Sequence, residues 1–447
     1  MGAARTRVRF RSWSRFLPFL ILPMTASAGG PVSPAEKVEW FNANAATIRS
    51  TNPKDHDFSD LKPIQQAIGN ARVVLLGGSN DEAIVKARYR LVRFLHEEMG
   101  FDVLTCGLPL FDAEEFDRPL DLGKAPPMDL DGLNRNVFSY YNDRYRMYNW
   151  VDILDYVRET HKSDRPLHLS GFGWVLSPYG AAAFPKHLFQ FLDTILPGFV
   201  TAADRKAIQA VVRLSAPVRP IYAGMGRRYS GVSQKQWDKT LPPGLEAMSK
   251  VYDRLGKIPA NSPNLSDIVY YRVTLDDLAY YASGIAGRRA RTLPPDSIMA
   301  LAKVWHPKSK IIVWSTNGAV GRDLPWPRDP MRSVSAQLPL GSLLAGEMGR
   351  DVYAIAFSEI KNDNGVLQVL QAGPQPKLAP VDGDLESLLH AAGKPCSFVD
   401  FRSLPENHWL RAPLSARLLQ SSELFVWPDH FDGLLTVDLP AWKAHKQ

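Results

Sequence analysis

The chain has 447 residues, of which 45% are hydrophobic and 22% charged, so it can bury a large core and is not generally disordered. It has no periodic Gly or Pro pattern and no internal repeat, which excludes collagen-like, coiled-coil and solenoid architectures. Five arginines within the first 28 residues supply most of the net charge of +7 and leave +2 for the rest of the chain. A nucleic-acid-binding protein is therefore not expected.

The first residues have the pattern of a secretory signal peptide. A basic start precedes a short apolar run, Phe16 to Met24, and the small residues Ala26-Ser27-Ala28, which fit a cleavage site. We expect cleavage after Ala28 and a periplasmic or secreted mature protein; an uncleaved N-terminal anchor is the alternative. The apolar run is shorter than the roughly 20 residues that span a bilayer, so we expect no membrane span in the mature chain.

Helices and strands alternate along the predicted mature chain. Apolar spacing predicts a helix over 57–71, followed by a strand over 72–76. An amphipathic helix is predicted over 82–99 and ends at Gly100, and a strand over 101–106 follows directly. This order, with continuously apolar strands, is typical of parallel pairing because the helix returns the chain to the same edge of the sheet.

The later part of the chain continues this alternation around a helical middle. The pattern predicts a helix over 151–161 and strands over 167–170, 310–315, 351–357, 366–370, 397–400 and 434–437. Helices are predicted over 202–214, 234–255 and 268–283, within a segment of about 197–304 that contains almost no strand pattern. We interpret that segment as a helical insertion in one α/β domain over 29–447. Ligand sites of such folds form at the carboxyl ends of parallel strands, which directs attention to the residues after each strand.

Four segments at these strand ends resemble the erythromycin esterase family. They are LLGGSNDEAIVKARYRLVRFLHEEMGFDVLTCG, LHLSGFG, KIIVWSTNGAVGR and LPLGSLLAGEMGRDVYAIAFSE. In the family the corresponding patterns include Leu-Gly-Glu-x-x-His, Gly-Phe-Asp and Trp-Ala-His-Asn-x-His-x-Gly-Arg. The resemblance runs from about Trp40 to Val437. It implies a central, mainly parallel β-sheet flanked by helices, with a helical subdomain over one end, and a hydrolase ancestry with macrolactone esters as substrates.

The chain departs from the family at the positions that carry the chemistry. The resemblance implies that the family's acids and histidines fall at Gly78, Asp81 (or Asn80), Gly107, Gly173, Thr316 and Ala319. The family residues activate a water that attacks the ester, and Gly, Thr and Ala cannot act as a base. Their loss also removes any set of histidines and carboxylates that could bind a metal in these loops. We therefore expect no family catalytic residue, no metal and no cofactor.

Other residues keep the family pattern or lie beside it. The candidate ligand-binding residues are Arg88, Trp314, Asn317, Arg322, Ser79 and Cys106. Without the family's carboxylates, Arg88 and Arg322 could pair with nearby acids or hold an anionic ligand. The stretch 140–150, rich in Tyr and Arg, could line a wall for a small molecule or could simply be packing.

Each potential catalytic group also has a structural interpretation. Cys106 could be a thiol nucleophile, but a buried apolar role is favoured, and it could pair with Cys396 or remain unpaired. Asp81 and Glu82 could supply a base or could favour a helix N-terminus. Ser79 lacks the Gly-x-Ser-x-Gly pattern of serine hydrolases.

The ten histidines are dispersed, and no two lie three or four residues apart, so no zinc-binding helix face is indicated. His306 precedes a strand and is interpreted as a loop residue at the amino end of the sheet. We expect an exported family member that binds a small molecule or partner in the former active-site cleft. The alternatives are a hydrolase with a rebuilt site and a structural or assembly protein, and no particular protein partner is indicated.

Overall fold

The computed structural model describes residues 32–79, 81–127, 151–173, 176–216, 232–286, 296–324, 339–360, 383–419 and 424–437. The helices in these ranges are α1 (Pro34–Asn44), α2 (Lys62–Ile68), α3 (Glu82–Met99), α4 (Leu110–Asp121), α5 (Val151–Thr160), α6 (Pro178–Ile195), α7 (Ala202–Ser215), α8 (Gln234–Leu255), α9 (Leu265–Ile285), α10 (Asp296–Ala300), α11 (Asn317–Val320), α12 (Leu340–Met348), α13 (Leu385–Ala391) and α14 (Trp427–His430). The strands are β1 (Ala46–Thr47), β2 (Val73–Leu76), β3 (Val103–Pro109), β4 (His168–Gly173), β5 (Ile311–Trp314), β6 (Val352–Glu359), β7 (Ser397–Asp400), β8 (Leu414–Ser415), β9 (Leu424–Phe425) and β10 (Gly433–Val437).

The main sheet of the described residues has eight strands in the order β1-β7-β10-β6-β2-β5-β3-β4. The six strands from β10 to β4 run parallel to one another. At the other edge, β7 is antiparallel to both β10 and β1. The predicted fold, a central and mainly parallel sheet flanked by helices, is confirmed.

Helices cover both faces of the sheet, which explains why its central strands are continuously apolar. On one face, Val74 and Leu76 pack in a core that includes Leu91 of α3. On the other face, Val73 and Leu75 belong to a second core, with α12 and α13. Each fully buried Val or Leu contributes about 1.5–3 kcal/mol relative to exposure, so these short strands are held mainly by their side chains.

A third core lies beyond the sheet. Between β4 and β5, every element in the described ranges is helical, from α6 to α10. These helices pack around the buried Trp237, and the same core includes Leu110 and Phe111, which directly follow β3. The helical unit therefore borders the carboxyl end of β3.

The start of the first predicted helix, at residue 57, is wrong. The chain makes a 3₁₀ turn over Ser59–Leu61, and α2 begins only at Lys62. Pro63 fits the first turn of a helix, where its missing N–H leaves no hydrogen bond unmade, and would break a helix that began earlier. The predicted strand over 366–370 and the aromatic stretch 140–150 lie outside the described residues.

None of the helices in the described part of the chain is both long enough and apolar enough to cross a membrane.

Candidate functional site

The carboxyl ends of β2, β5 and β6 lie side by side and gather the polar residues of the candidate site. Leu76, the last residue of β2, pairs with Trp314 of β5 and with Ile355 of β6. The loop after β2 therefore lies between the residues that follow Trp314 and the last residues of β6. This arrangement follows from parallel pairing, because all three strands end at the same edge.

Two carboxyl groups and one hydroxyl meet at this edge. Ser79 Oγ donates a hydrogen bond to Asp81 Oδ2 at 2.6 Å and lies 3.4 Å from Glu359 Oε1. Burial, and then the neighbouring Asp81 carboxylate, raise the pKa of Glu359 to about 9. Glu359 is therefore protonated at neutral pH and can donate a hydrogen bond. We refer to Asp81 and Glu359 as the acidic pair.

A second buried carboxyl, that of Glu386, contacts Ser358, the residue before Glu359 in β6. Glu386 accepts hydrogen bonds from the Ser358 hydroxyl and, at 2.9 Å, from the Arg417 backbone N–H. Burial raises the pKa of Glu386 as well. The Arg417 side chain donates to Ile360 O at 3.0 Å, and its charge opposes the rise in the pKa of Glu359. The chain thus concentrates carboxyl groups at this end of β6.

Arg88 is fully buried and is committed to the protein itself. Its guanidinium donates to Ser79 O and, at 2.9 Å, to Ser315 O. Its Cζ lies 4.3 Å from the centre of the Trp314 ring, a cation–π contact. Burial lowers the pKa of Arg88. Of the contacts expected for Arg88, an acid or an anionic ligand, the described part of the structure shows neither as a hydrogen-bond partner: backbone carbonyls and Trp314 hold the guanidinium and fix the loops after β2 and β5.

Arg322 lies in a different ion-pair network from Arg88 and does not contact the described residues of the loop after β2. Its Nη1 lies 2.8 Å from Asp432 Oδ2, and the same carboxylate accepts from Ala354 N at 2.8 Å and pairs with Arg402. Ala354 precedes Glu359 by five residues in β6, which is about 16 Å along a strand. Of the two predicted roles for Arg322, pairing with an acid is the one that the structure shows.

Asn317, Trp314 and Cys106 are structural residues in the described fold. The Asn317 amide donates to Phe357 O at 2.8 Å and to Leu418 O at 2.9 Å, and accepts from Phe357 N at 3.1 Å. Trp314 is buried beneath Arg88. Cys106 is a free thiol with 2% exposure, and burial raises its pKa to about 12, so it is not an activated nucleophile.

The three glycines that replace the family's acids differ in the space around them. A Cβ on Gly78, whose φ is +113°, would lie 2.7 Å from Ile84 Cγ2, and one on Gly173 would lie 2.7 Å from Gly107 O. A Cβ on Gly107 would meet no atom within 4 Å. The position that a side chain would occupy is therefore filled by the Ile84 and Phe357 side chains at Gly78 and by the backbone of 107–108 at Gly173.

The side chains of the remaining sequence candidates are exposed or partly exposed. Asp81 is the N-cap residue of α3, but its side chain makes no capping hydrogen bond and instead accepts from Ser79. Glu82 pairs with Lys86 at 2.6 Å on the exposed face of the same helix. Thr316 is exposed before α11, and Ala319 is half-buried within it.

Two groups of residues were missed by the sequence analysis. Glu359 lies two residues beyond the predicted end of its strand, and its position as the last residue of a parallel strand was the available signal. The second group, Asp117, Asp121, His161 and His168, has ligand atoms within 4.8 Å of one another and could hold a metal ion. The expectation of no metal rested on the family positions and on histidine spacing along the sequence, whereas this group is assembled from α4, the residue after α5 and the start of β4.

A small pocket opens at the carboxyl ends of β3 and β4. Its walls are mostly apolar and come from the end of β3 and the start of α4, from Gly173 at the end of β4, from residue 176 before α6 and from α9: Pro109, Leu110, Phe111, Gly173, Leu176, Thr274, Asp277 and Leu278. The helical unit thus contributes one wall of a concave site beside two of the family positions.

Comparison with known proteins identifies the family. The erythromycin esterase family model matches residues 96–438. The chain belongs to the erythromycin esterase family. It is 22% identical to "Putative hydrolase YbfO" of Bacillus subtilis (strain 168), covering 94% of this chain and 96% of that protein, and 20% identical to erythromycin esterase type II of Escherichia coli, covering 83% and 90%.

A solved structure agrees with this assignment at the level of the fold. The crystal structure of an erythromycin esterase variant in its open conformation superimposes with a TM-score of 0.56 at 16% identity. The superposition covers 88% of this chain and 96% of the other. The family member described here therefore retains the scaffold across nearly its whole length.

Glu359→Gln is expected to change how stability depends on pH. Between its ordinary pKa of 4.5 and about 9, Glu359 keeps a proton when folded that it loses when unfolded. The wild-type chain therefore loses up to about 1.4 kcal/mol of stability per pH unit across that window. The glutamine variant has no such titration. The free energy of unfolding of Glu359→Gln minus that of the wild type should therefore increase from pH 5 to pH 8.

Urea unfolding at the two pH values measures this difference. Glu386 is present in both proteins, so its own titration cancels in the comparison. Glu82→Gln, on the surface of α3, is the control and should follow the wild type at both pH values. Parallel stability profiles for the wild type and Glu359→Gln would contradict the raised pKa.

Proposed function

We propose that this member of the erythromycin esterase family is exported and binds a small molecule at the carboxyl ends of β2, β5 and β6, without hydrolysing esters by the family's mechanism. The signal-peptide pattern of the first 28 residues supports export. The replacement of the family's acids and histidines by Gly78, Gly107, Gly173, Thr316 and Ala319 supports the loss of the inherited chemistry.

The observation that carries the binding proposal is the acidic pair beside Ser79. A protonated Glu359 can donate a hydrogen bond, while the Asp81 carboxylate and the Ser79 hydroxyl can accept one. Such a mixed set orients a ligand that bears an amine or hydroxyl groups. An anion is a poorer fit, because the carboxyl groups of the acidic pair lie at this edge while the guanidinium of Arg88 is buried.

The missing component for hydrolysis is an imidazole at the acidic pair. Within the described ranges, no histidine nitrogen hydrogen-bonds to Ser79, Asp81 or Glu359. Neighbouring side chains at Gly78 and the neighbouring backbone at Gly173 also occupy the space of two family side chains. Restoring water activation would therefore require more than single substitutions.

One observation favours a second candidate, a hydrolase with a rebuilt site. A carboxyl with a raised pKa next to a second carboxylate is a common acid–base arrangement. In that case Asp81 would accept a proton from the attacking water, and Glu359 would donate its proton to the leaving alkoxide of the ester. The two candidates use the same residues and differ in whether a bond is broken.

One experiment distinguishes the candidates. The full-length chain is expressed in a bacterial host, and the protein recovered from the periplasm is expected to begin at Gly29. It is incubated with a macrolide that carries an amine, a simple neutral ester and a carboxylate compound. Mass spectrometry follows the addition of water, and calorimetry follows binding.

We expect binding of the amine-bearing macrolide without turnover, an affinity at least about tenfold lower in Asp81→Asn because this variant removes the carboxylate that accepts from the charged amine, and no change in Glu82→Gln. Turnover that Glu359→Gln abolishes and Glu82→Gln keeps would instead support the rebuilt hydrolase. Failure of all three compounds to bind or react, or recovery of the chain only from the cytoplasm, would contradict the proposal.

A further inference from the structure

Two histidines and two aspartates meet at the amino end of β4, far from the acidic pair. Asp117 and Asp121 lie one turn apart in α4, His161 directly follows α5, and His168 is the first residue of β4. We call these four residues the His–Asp cluster. Because β4 runs from His168 to Gly173, the cluster lies at the opposite end of this strand from the family positions.

One ligand atom from each of the four residues of the His–Asp cluster lies within 4.8 Å of the other three, close enough for one metal ion to bind all four. His161 lies 3.2 Å from Asp117 through Nε2 and 3.2 Å from Asp121 through Nδ1. His168 Nδ1 lies 3.1 Å from Asp117 and 3.6 Å from Asp121. One ion can bind only one of the two His161 nitrogens. In a tetrahedral zinc site with bonds of 2.0–2.1 Å, neighbouring ligand atoms are about 3.3 Å apart, so the four side chains would move slightly closer together around the ion.

Three of the four side chains in the His–Asp cluster are buried or mostly buried, and the fourth is partly exposed to solvent. The side chains of Asp117 and His161 are buried, His168 is mostly buried, and Asp121 is 45% exposed. The backbone N–H of Leu169 donates to Asp117 Oδ1 at 2.7 Å, an outer contact of the kind that orients metal ligands. The centre of the His306 ring lies 5.7 Å from that of the His168 ring, so this loop histidine at the amino end of the sheet packs beside the cluster.

The charges in the cluster also favour a divalent cation. Within the described residues, the ion pairs of Asp117 and Asp121 are all with these two histidines. Two carboxylates and two neutral imidazoles carry a charge of −2, which one divalent ion neutralises. Imidazole nitrogen together with carboxylate oxygen suits zinc and similar transition metals better than magnesium or calcium.

We propose that the His–Asp cluster binds one Zn²⁺ or a chemically similar divalent transition metal. The ion would join α4, the end of α5 and the start of β4 at the edge strand of the sheet. All four protein ligands are supplied by the chain, which is the arrangement of a structural site with no open position for substrate.

The test uses the mature chain without a purification tag, stripped of metal with a chelator. We expect it to bind one Zn²⁺ per chain in competition with a chromophoric chelator, and to show the visible absorption of four-coordinate Co²⁺ when cobalt is added. Zn²⁺ should also raise the thermal midpoint, because it binds only the folded state. Asp121→Asn should lower the Zn²⁺ affinity at least about tenfold, since even outer-contact variants cost 10–100-fold.

Asp155→Asn is the matched control. Asp155 lies in α5, is also 45% exposed and pairs with Arg158 outside the cluster. It should leave Zn²⁺ affinity and the Co²⁺ spectrum unchanged. Because Asp121 is on the surface, its variant should fold, and circular dichroism verifies this. Equal Zn²⁺ affinity in the two variants, or wild-type binding no tighter than about millimolar, would overturn the proposal.

Discussion

Replacing Asp432 by alanine is expected to lower the free energy of unfolding by about 3–5 kcal/mol. Its buried carboxylate accepts from Ala354 N at 2.8 Å and pairs with Arg322 at 2.8 Å and Arg402 at 3.0 Å. Removing it leaves two largely buried guanidinium groups without their counter-charge, together with an unpaired strand N–H. Chemical denaturation monitored by tryptophan fluorescence measures the loss.

The control for Asp432 is its neighbour Asp429. Asp429 lies 3.9 Å from Arg411 and is 63% exposed. Alanine at this position should change stability by less than about 0.5 kcal/mol, as is usual for exposed ion pairs. A similar loss in both variants would show that the Asp432 network does not hold Arg322 as described.

Replacing Gly78 by alanine is expected to cost about 3 kcal/mol or more. A φ of +113° is strained for a residue with a side chain, and the new Cβ would lie 2.7 Å from Ile84 Cγ2 and 3.0 Å from Phe357 Cβ. Backbone strain of this kind costs about 1–3 kcal/mol, and overpacking a core adds a similar amount. Denaturation curves of the variant measure the combined loss of stability from backbone strain and overpacking.

Gly107→Ala is the matched control, because Gly107 also occupies a position at which the family has an acid. Its Cβ would meet nothing within 4 Å, so the change in stability should stay within about 0.5 kcal/mol. If both variants were equally stable, the argument that the Ile84 and Phe357 side chains fill the first family position would fail. The expected contrast means that a glutamate can be returned to 107 but not to 78.

The fold was predictable because local signals fixed the elements that build it. The predicted helix over 234–255 has the bounds of α8, which Ser233 caps through a hydrogen bond with the Gln236 N–H. The predicted helix over 82–99 has the bounds of α3, which ends at Gly100 in a left-handed conformation. Continuous apolar runs such as Val73–Leu76 indicated strands covered on both faces.

The candidate site was only partly predictable, because its contacts join residues far apart in the sequence. Ser79 and Glu359 are separated by 280 positions and meet only because β2 and β6 are neighbours. The same holds for the His–Asp cluster, in which Asp117 contacts His161 and His168, which follow it by 44 and 51 positions. The partners of Arg88 could not be predicted, because they are the backbone carbonyls of Ser79 and Ser315, which carry no signal in the sequence.

The strand order has a consequence for how the chain reaches this structure. Val73 in β2 pairs with Ile311 and with Val352, and β10, close to the end of the described chain, lies between β6 and β7. Contacts of such high sequence separation form slowly, because a long loop must close before they repay its entropy. The sheet cannot be completed until residue 437 has left the ribosome. A chain of this topology therefore lacks a central strand throughout synthesis, which delays the burial of the apolar residues of β6 and β7.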